Sequence, residues 1–177
     1  RGGQGAVTSV ELLALSAIEE EKYAQGFPSF GPERRGAPVT AFNRVDDKQI
    51  KIRSGIYHPD VVVVLDESLV GLVDVAEGLK PTGILLVNTT KTLAELKKNI
   101  RFEGRIATCD GTGIAWKELG VPITNTTMLG ALVKLTGAVK LESLDSPLKE
   151  RFGRIAPKNQ AAAKRAYEEV RIISGES

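Results

Sequence analysis

The sequence predicts an α/β fold: an open, mostly parallel sheet with helices on both faces, supplemented by a β-hairpin and by C-terminal helices. Three observations predict it. In Pro59-Asp60-Val61-Val62-Val63-Val64-Leu65-Asp66 an unbroken apolar run lacks polar alternation, the pattern of a strand covered on both faces. Gly83-Ile84-Leu85-Leu86-Val87-Asn88 repeats that pattern, and Arg105-Ile106-Ala107-Thr108-Cys109 is a weaker third strand. Helix-like stretches at 69–79 and 92–99 separate the strands, and another at 114–119 follows them. Strand and helix alternating at this spacing form repeated βαβ units.

In chain order, Val10, Leu13, Ala14, Ala17 and Ile18 make the apolar stripe of a first helix, opposed by Glu11, Ser16, Glu19 and Glu20. Thr8 and Glu11 have capping-box spacing, with Gly5 the earliest start. Upstream stands Arg1-Gly2-Gly3-Gln4-Gly5, and a glycine turn opening such a helix normally follows a strand. A short strand before Arg1 is therefore expected in the natural chain, with residues 1–177 forming a single α/β domain. Residues 27–38, rich in Gly and Pro, read as a loop. Val39–Val45 and Gln49–Arg53 read as a hairpin closed by Asp46-Asp47-Lys48, with Ile50 and Ile52 alternating against Lys51 and Arg53. Asn125-Thr126-Thr127 suits the cap of a helix bearing Met128, Leu129, Leu132, Val133 and Leu135 and ended by Gly137. Pro157 suits the first turn of a last helix striped by Ala162, Ala166, Val170 and Ile173.

Of 177 residues, 42% are hydrophobic and 26% charged, the balance of a globular domain able to bury a core. Lys and Arg number 24 against 22 Asp and Glu, a net charge of +2, and aromatics make up 5%. Neither the clustered basic excess nor the stacking aromatics of a nucleic-acid binder is present. No apolar run reaches the roughly 20 residues that cross a bilayer, and no secretory signal pattern is seen. One cysteine and one histidine cannot build a disulfide, a structural zinc site or an iron–sulfur cluster. The single thiol suits a reducing cytoplasm. Redox or metal chemistry must come from another chain, so no catalytic residue and no metal ligand is assigned.

In a Rossmann-like sheet the carboxyl ends of parallel strands meet in a ligand crevice. Here those ends carry Asp66-Glu67-Ser68, Asn88-Thr89-Thr90 and Asp110-Gly111-Thr112-Gly113, joined by Gly2-Gly3-Gln4-Gly5. The turn's free N–H groups and the positive helix end favour an anion. One exposed helix-terminus contact contributes about 0.3–1 kcal/mol, against about 8 kcal/mol for micromolar binding. The turn cannot hold a cofactor alone, and glycines that permit close packing are an equal reading. In Glu33-Arg34-Arg35-Gly36, Arg34 and Arg35 offer planar forks for phosphate or carboxylate, set against a surface ion pair with Glu33. The cofactor-binding candidates are thus Gly2, Gly3, Gln4, Gly5, Arg34 and Arg35. Asp66 and Glu67 are expected to cap the following helix, and His58 to stabilise a turn. Cys109 is expected to be a buried small hydrophobe and Trp116 a packing residue of its helix.

The order of Arg1-Gly2-Gly3-Gln4-Gly5, Phe27-Pro28-Ser29-Phe30-Gly31-Pro32-Glu33-Arg34-Arg35-Gly36-Ala37-Pro38, Val61 to Asp66 and Asn125-Thr126-Thr127-Met128-Leu129-Gly130-Ala131-Leu132 resembles the gamma chain of 2-oxoacid:ferredoxin oxidoreductases. The resemblance runs over essentially the whole chain. The Glu-Arg-Arg-Gly-Ala-Pro loop is similar to the pyruvate or branched-chain type, whereas the 2-oxoglutarate type tends to carry Arg-Gly-Gly. One departure is Asp110-Gly111-Thr112-Gly113, where an Asp-Ala-Thr pattern is expected. The resemblance implies an enzyme converting pyruvate and coenzyme A to acetyl-CoA, carbon dioxide and reduced ferredoxin, or the reverse. It implies alpha, beta and ferredoxin-like delta partners, thiamine diphosphate with Mg2+ between alpha and beta, and [4Fe–4S] clusters on other subunits. Gamma would hold no cofactor alone, pack over the active-site region and help accommodate coenzyme A at a subunit seam. The competing class is a free-standing nucleotide or acyl-CoA-binding module with the same sheet.

Overall fold

The computed structural model describes residues 5–29 and 38–175. Helix α1 (Ala6–Glu19) lies on an antiparallel pair, β1 (Tyr23–Pro28) and β2 (Ala41–Asp46). The apolar runs then form the expected sheet: β3 (Val61–Val64), β4 (Ile84–Asn88) and β5 (Arg105–Cys109) pair in parallel, with Val61 opposite Ile84 and Ile84 opposite Arg105. The short helix α2 (Leu93–Lys97) joins β4 to β5. Helices α3 (Gly111–Leu119), α4 (Asn125–Thr136), α5 (Asp145–Phe152) and α6 (Ala156–Glu169) follow, and β6 (Arg171–Ser174) pairs antiparallel with β5.

Period-two alternation divides the sheet's side chains between two cores. Leu85, Val87 and Ile106 meet Leu96, Ile100 and Phe102 on one face. Ile84, Leu86, Ala107 and Cys109 meet Ile114, Met128, Ala131, Ala162 and Ala166 on the other. A third core joins Leu12, Leu13 and Ala17 of α1 to Leu129 and Val133 of α4 and Leu148 of α5. Helix α4 is therefore enclosed by the sheet on one side and α1 on the other, with every residue from Asn125 to Ala131 buried. It crosses α6 at backbone contact. A Cβ built on Gly130 would stand 1.8 Å from the Ala163 carbonyl oxygen.

Several local expectations give way to packing. The partner of β2 is the upstream β1, with Phe27 opposite Phe42, and residues 49–53 form no strand. Alternation alone could not hold 49–53, whereas β1 and β2 have α1 to bury against: Asn43 Nδ2 donates to the Val10 carbonyl at 2.7 Å and to the Gln25 carbonyl at 3.2 Å. In place of a helix over 69–79 there is one 3₁₀ turn, Glu67–Gly71, followed by a turn in which Asp74 accepts from the Ala76 N–H at 3.1 Å. Helix α1 begins after Gly5, whose φ is 68°, two residues before the Thr8 box could cap it. Asn125, Thr126 and Thr127 lie inside α4, behind Thr124 at the cap position. Val170 leaves α6 in extended conformation, and Ile173 joins β6, because the β-branched tail can pair with the open edge of β5. The stretch at 92–99 behaves as expected: Thr92 and Glu95 form a reciprocal capping box on α2.

In most helix interiors Gly→Ala stabilises by about 1 kcal/mol. At Gly130 the sign reverses, because the methyl group would meet rigid backbone. Gly130→Ala is expected to cost about 2–3 kcal/mol, a fall in Tm of order 5–10 °C, measurable by calorimetry.

Candidate functional site

The carboxyl ends of β3, β4 and β5 do meet, and their polar side chains bind one another. Asn88, buried at the end of β4, donates through Nδ2 to the Leu65 carbonyl at 2.9 Å and to Thr112 Oγ1 at 3.0 Å. The Thr112 N–H donates back to Asn88 Oδ1 at 3.2 Å. One amide thus ties the end of β3 to the first turn of α3. Thr89 donates its hydroxyl hydrogen to the Glu67 carboxylate and accepts from the Lys91 N–H at 3.0 Å. Asp66 accepts from the Ser68 N–H at 3.0 Å, and Asp110 from the Gly113 N–H at 2.9 Å, so both carboxylates cap the turns behind them. Gly111 lets this turn pack closely, since a Cβ would lie 2.6 Å from Met128 Sδ and 3.1 Å from Asn88 Oδ1.

The thiol at the end of β5 is buried. Burial pushes the Cys109 thiol up to about 12, with the negative charges of Glu169 and Asp110 adding to the shift. Among the described residues no group of three or more His, Cys, Asp and Glu side chains could hold a metal ion, and no helix is long and apolar enough to cross a membrane. The hydrogen bonds of the crest give it shape and rigidity.

Beside it, where the N-termini of α1 and α4 face α5 and α6, lies a groove of about 190 Å³. Thr8, Asn125, Phe152 and Asn159 line it, and Arg151 and Lys158 contribute positive charge. Arg151 Nη2 approaches Thr8 Oγ1 at 3.4 Å. Gly5 sits against Asn125, whose Nδ2 reaches the Gly5 carbonyl at 3.5 Å; a Cβ on Gly5 would lie 2.5 Å from that nitrogen. Asn125 Oδ1 and the Thr124 and Thr127 hydroxyls are buried without hydrogen-bond partners among the described residues. A buried polar group costs about 1–3 kcal/mol while unpaired, and of these three only Asn125 lines the groove. The neighbouring Thr126 shows the satisfied alternative, donating to Asn159 Oδ1 at 2.7 Å.

Of the sequence-derived candidates, Gly5 stands at this groove; Gly2, Gly3, Gln4, Arg34 and Arg35 lie outside the described residues. Cys109 is buried as expected, whereas Trp116 is 55% exposed and does not pack as a core residue. His58 is exposed in the loop before β3. Sequence reasoning missed Asn125, Arg151 and Lys158 as neighbours. Asn125 has the signature of a cap, and the two cations resemble any solvated charge until α5 and α6 bring them together.

Fold and site together define an α/β scaffold that presents turns, apolar surface and positive charge at its margin. Residues 1–169 match the family model for pyruvate ferredoxin/flavodoxin oxidoreductase. The chain is 56% identical over 169 residues to the "Pyruvate/ketoisovalerate oxidoreductases common subunit gamma" of Thermococcus kodakarensis, covering 94% of this chain and 91% of that one. It is 52% identical over 172 residues to "Pyruvate synthase subunit PorC" of Methanothermobacter marburgensis, covering 97% and 94%. The crystal structure of pyruvate oxidoreductase subunit PORC from Thermotoga maritima superposes with a TM-score of 0.85 at 42% identity, covering 96% of this chain and 92% of that one. The chain belongs to the pyruvate ferredoxin/flavodoxin oxidoreductase family.

A thiol both buried and raised to about 12 stays protonated and shielded at neutral pH. The native protein should react with a disulfide reagent such as dithionitrobenzoate only as fast as it opens, with full labelling in denaturant. Prompt stoichiometric labelling of the folded chain would contradict the burial described.

Proposed function

We propose that this chain is the gamma-type subunit of a cytoplasmic pyruvate:ferredoxin oxidoreductase, which converts pyruvate and coenzyme A to acetyl-CoA, carbon dioxide and reduced ferredoxin, or runs in reverse. The observation that carries the reading is the end-to-end likeness, in sequence and in fold, to the Thermotoga subunit. The chemistry of the site agrees in kind: polar side chains at the crest are engaged with one another, and the one thiol is buried. Alpha, beta and ferredoxin-like delta subunits would supply the reactive parts. Thiamine diphosphate with Mg2+ would lie between alpha and beta, and [4Fe–4S] clusters would carry the electrons away.

This chain's part is to shape the coenzyme A site at a subunit seam. Coenzyme A brings a pyrophosphate, and the candidates to meet it are Gly2, Gly3 and Gln4, which precede α1 in sequence, Gly5 at its positive end, and Arg34 and Arg35 as planar donors. A second reading has a specific support: the Thermococcus relative is named as common to pyruvate and ketoisovalerate oxidoreductases. The same gamma chain would then also serve a branched-chain 2-oxoacid enzyme.

A tagged chain expressed with its native neighbours should copurify with large iron-containing subunits and a viologen-reducing activity that needs both coenzyme A and a 2-oxoacid. Activity with pyruvate alone, or with 2-ketoisovalerate as well, separates the two readings. In that complex Arg34→Ala/Arg35→Ala should raise the coenzyme A KM about tenfold or more, from the loss of charge-assisted hydrogen bonds. An unchanged KM with intact assembly removes the coenzyme A role of the arginines. Tight coenzyme A binding by the isolated chain would instead favour a free-standing binding module.

A further inference from the structure

The groove beside Gly5 presents three features that the chain itself leaves unanswered. Asn125, 6% exposed, lines it and keeps Oδ1 without a donor. Val121, Ile123 and Ile155 lie along the same groove at 43%, 50% and 50% exposure, apolar area available for burial. Arg151 and Lys158 share these walls, and neither is ion-paired with a carboxylate among the described residues. The helix ends at Gly5 and Thr124 add partial positive charge in the same sense. Size then decides the kind of occupant. Small-molecule sites run to about 300–1,000 Å³, whereas this groove holds about 190 Å³, the room of one inserted side chain.

The geometry points to a docking site for an acidic segment of a partner subunit. That segment anchors one apolar side chain between Ile123 and Ile155. It sets a carboxylate against Arg151 and Lys158. Buried apolar anchors ringed by charge are the usual energetic centre of an interface. This inference rests on the reading of the chain as an oxidoreductase subunit and adds which surface joins it to its neighbours.

The test uses the whole complex, with Arg151→Glu/Lys158→Glu and, separately, Ile155→Asp in the gamma chain. All three side chains are exposed, so the variants should melt like the wild type. At about 0.15 M salt, gamma retained on the affinity-purified complex should fall about tenfold or more in each variant, and the wild-type complex should itself shed gamma as salt rises. Wild-type retention in both variants overturns the proposal. So does intact assembly with a raised coenzyme A KM, which would make the groove a small-anion site. A wild-type chain that joins no oxidoreductase complex overturns the subunit reading as well, which keeps the two failures distinct.

Discussion

The contact between α4 and α6 is the constraint on which the rest of the structure depends. Gly130 lets the two backbones touch at the Ala163 carbonyl, and Ala131, Ala162 and Ala166 continue the small-residue surface toward the sheet. Close approach makes α4 thin enough to be covered from both sides, by the sheet through Met128 and by α1 through Leu129 and Val133. Two otherwise separate layers thereby share one helix. The same seating fixes the N-terminus of α4 at the edge of the molecule, beside Gly5 and the crest. Core packing of alanines and one glycine thus sets where polar groups can converge.

What converges there divides into a finished part and an unfinished part. At the crest, Asn88, Thr89, Glu67, Thr112, Asp66 and Asp110 satisfy one another or the backbone. Such a network is stiff. At the groove, Asn125 Oδ1 has no hydrogen-bond partner among the described residues, and apolar walls and two cations stand around that side chain. The relatives named as subunits of larger oxidoreductases put this asymmetry in context: the scaffold is closed on itself, and the groove at its margin is where the proposed contact falls.

The sheet was legible from residues alone because parallel strands buried on both faces are uniformly apolar, and Val61–Val64, Ile84–Val87 and Arg105–Cys109 obey that rule without tertiary help. Pairing between distant segments was not. Nothing local in Tyr23–Pro28 says strand; it becomes one because α1 covers it and Asn43 reaches from β2 to the Val10 carbonyl. The tail Arg171–Ser174 continues a helical stripe in sequence, but the edge of β5 offers hydrogen bonds that outweigh it. At the site, glycine turns and strand-end polar residues were readable as a crest. Arg151 and Lys158 were not, because their significance comes from the folding of α5 and α6 against the start of α4.

The fit of Met128 against the bare Cα of Gly111 makes a soft bearing between two helices. A larger residue at the first turn of α3 would push against a thioether, which can swing to another rotamer, whereas the same change at Gly130 would meet the Ala163 backbone. The face of α4 toward α3 can therefore yield where its face toward α6 cannot.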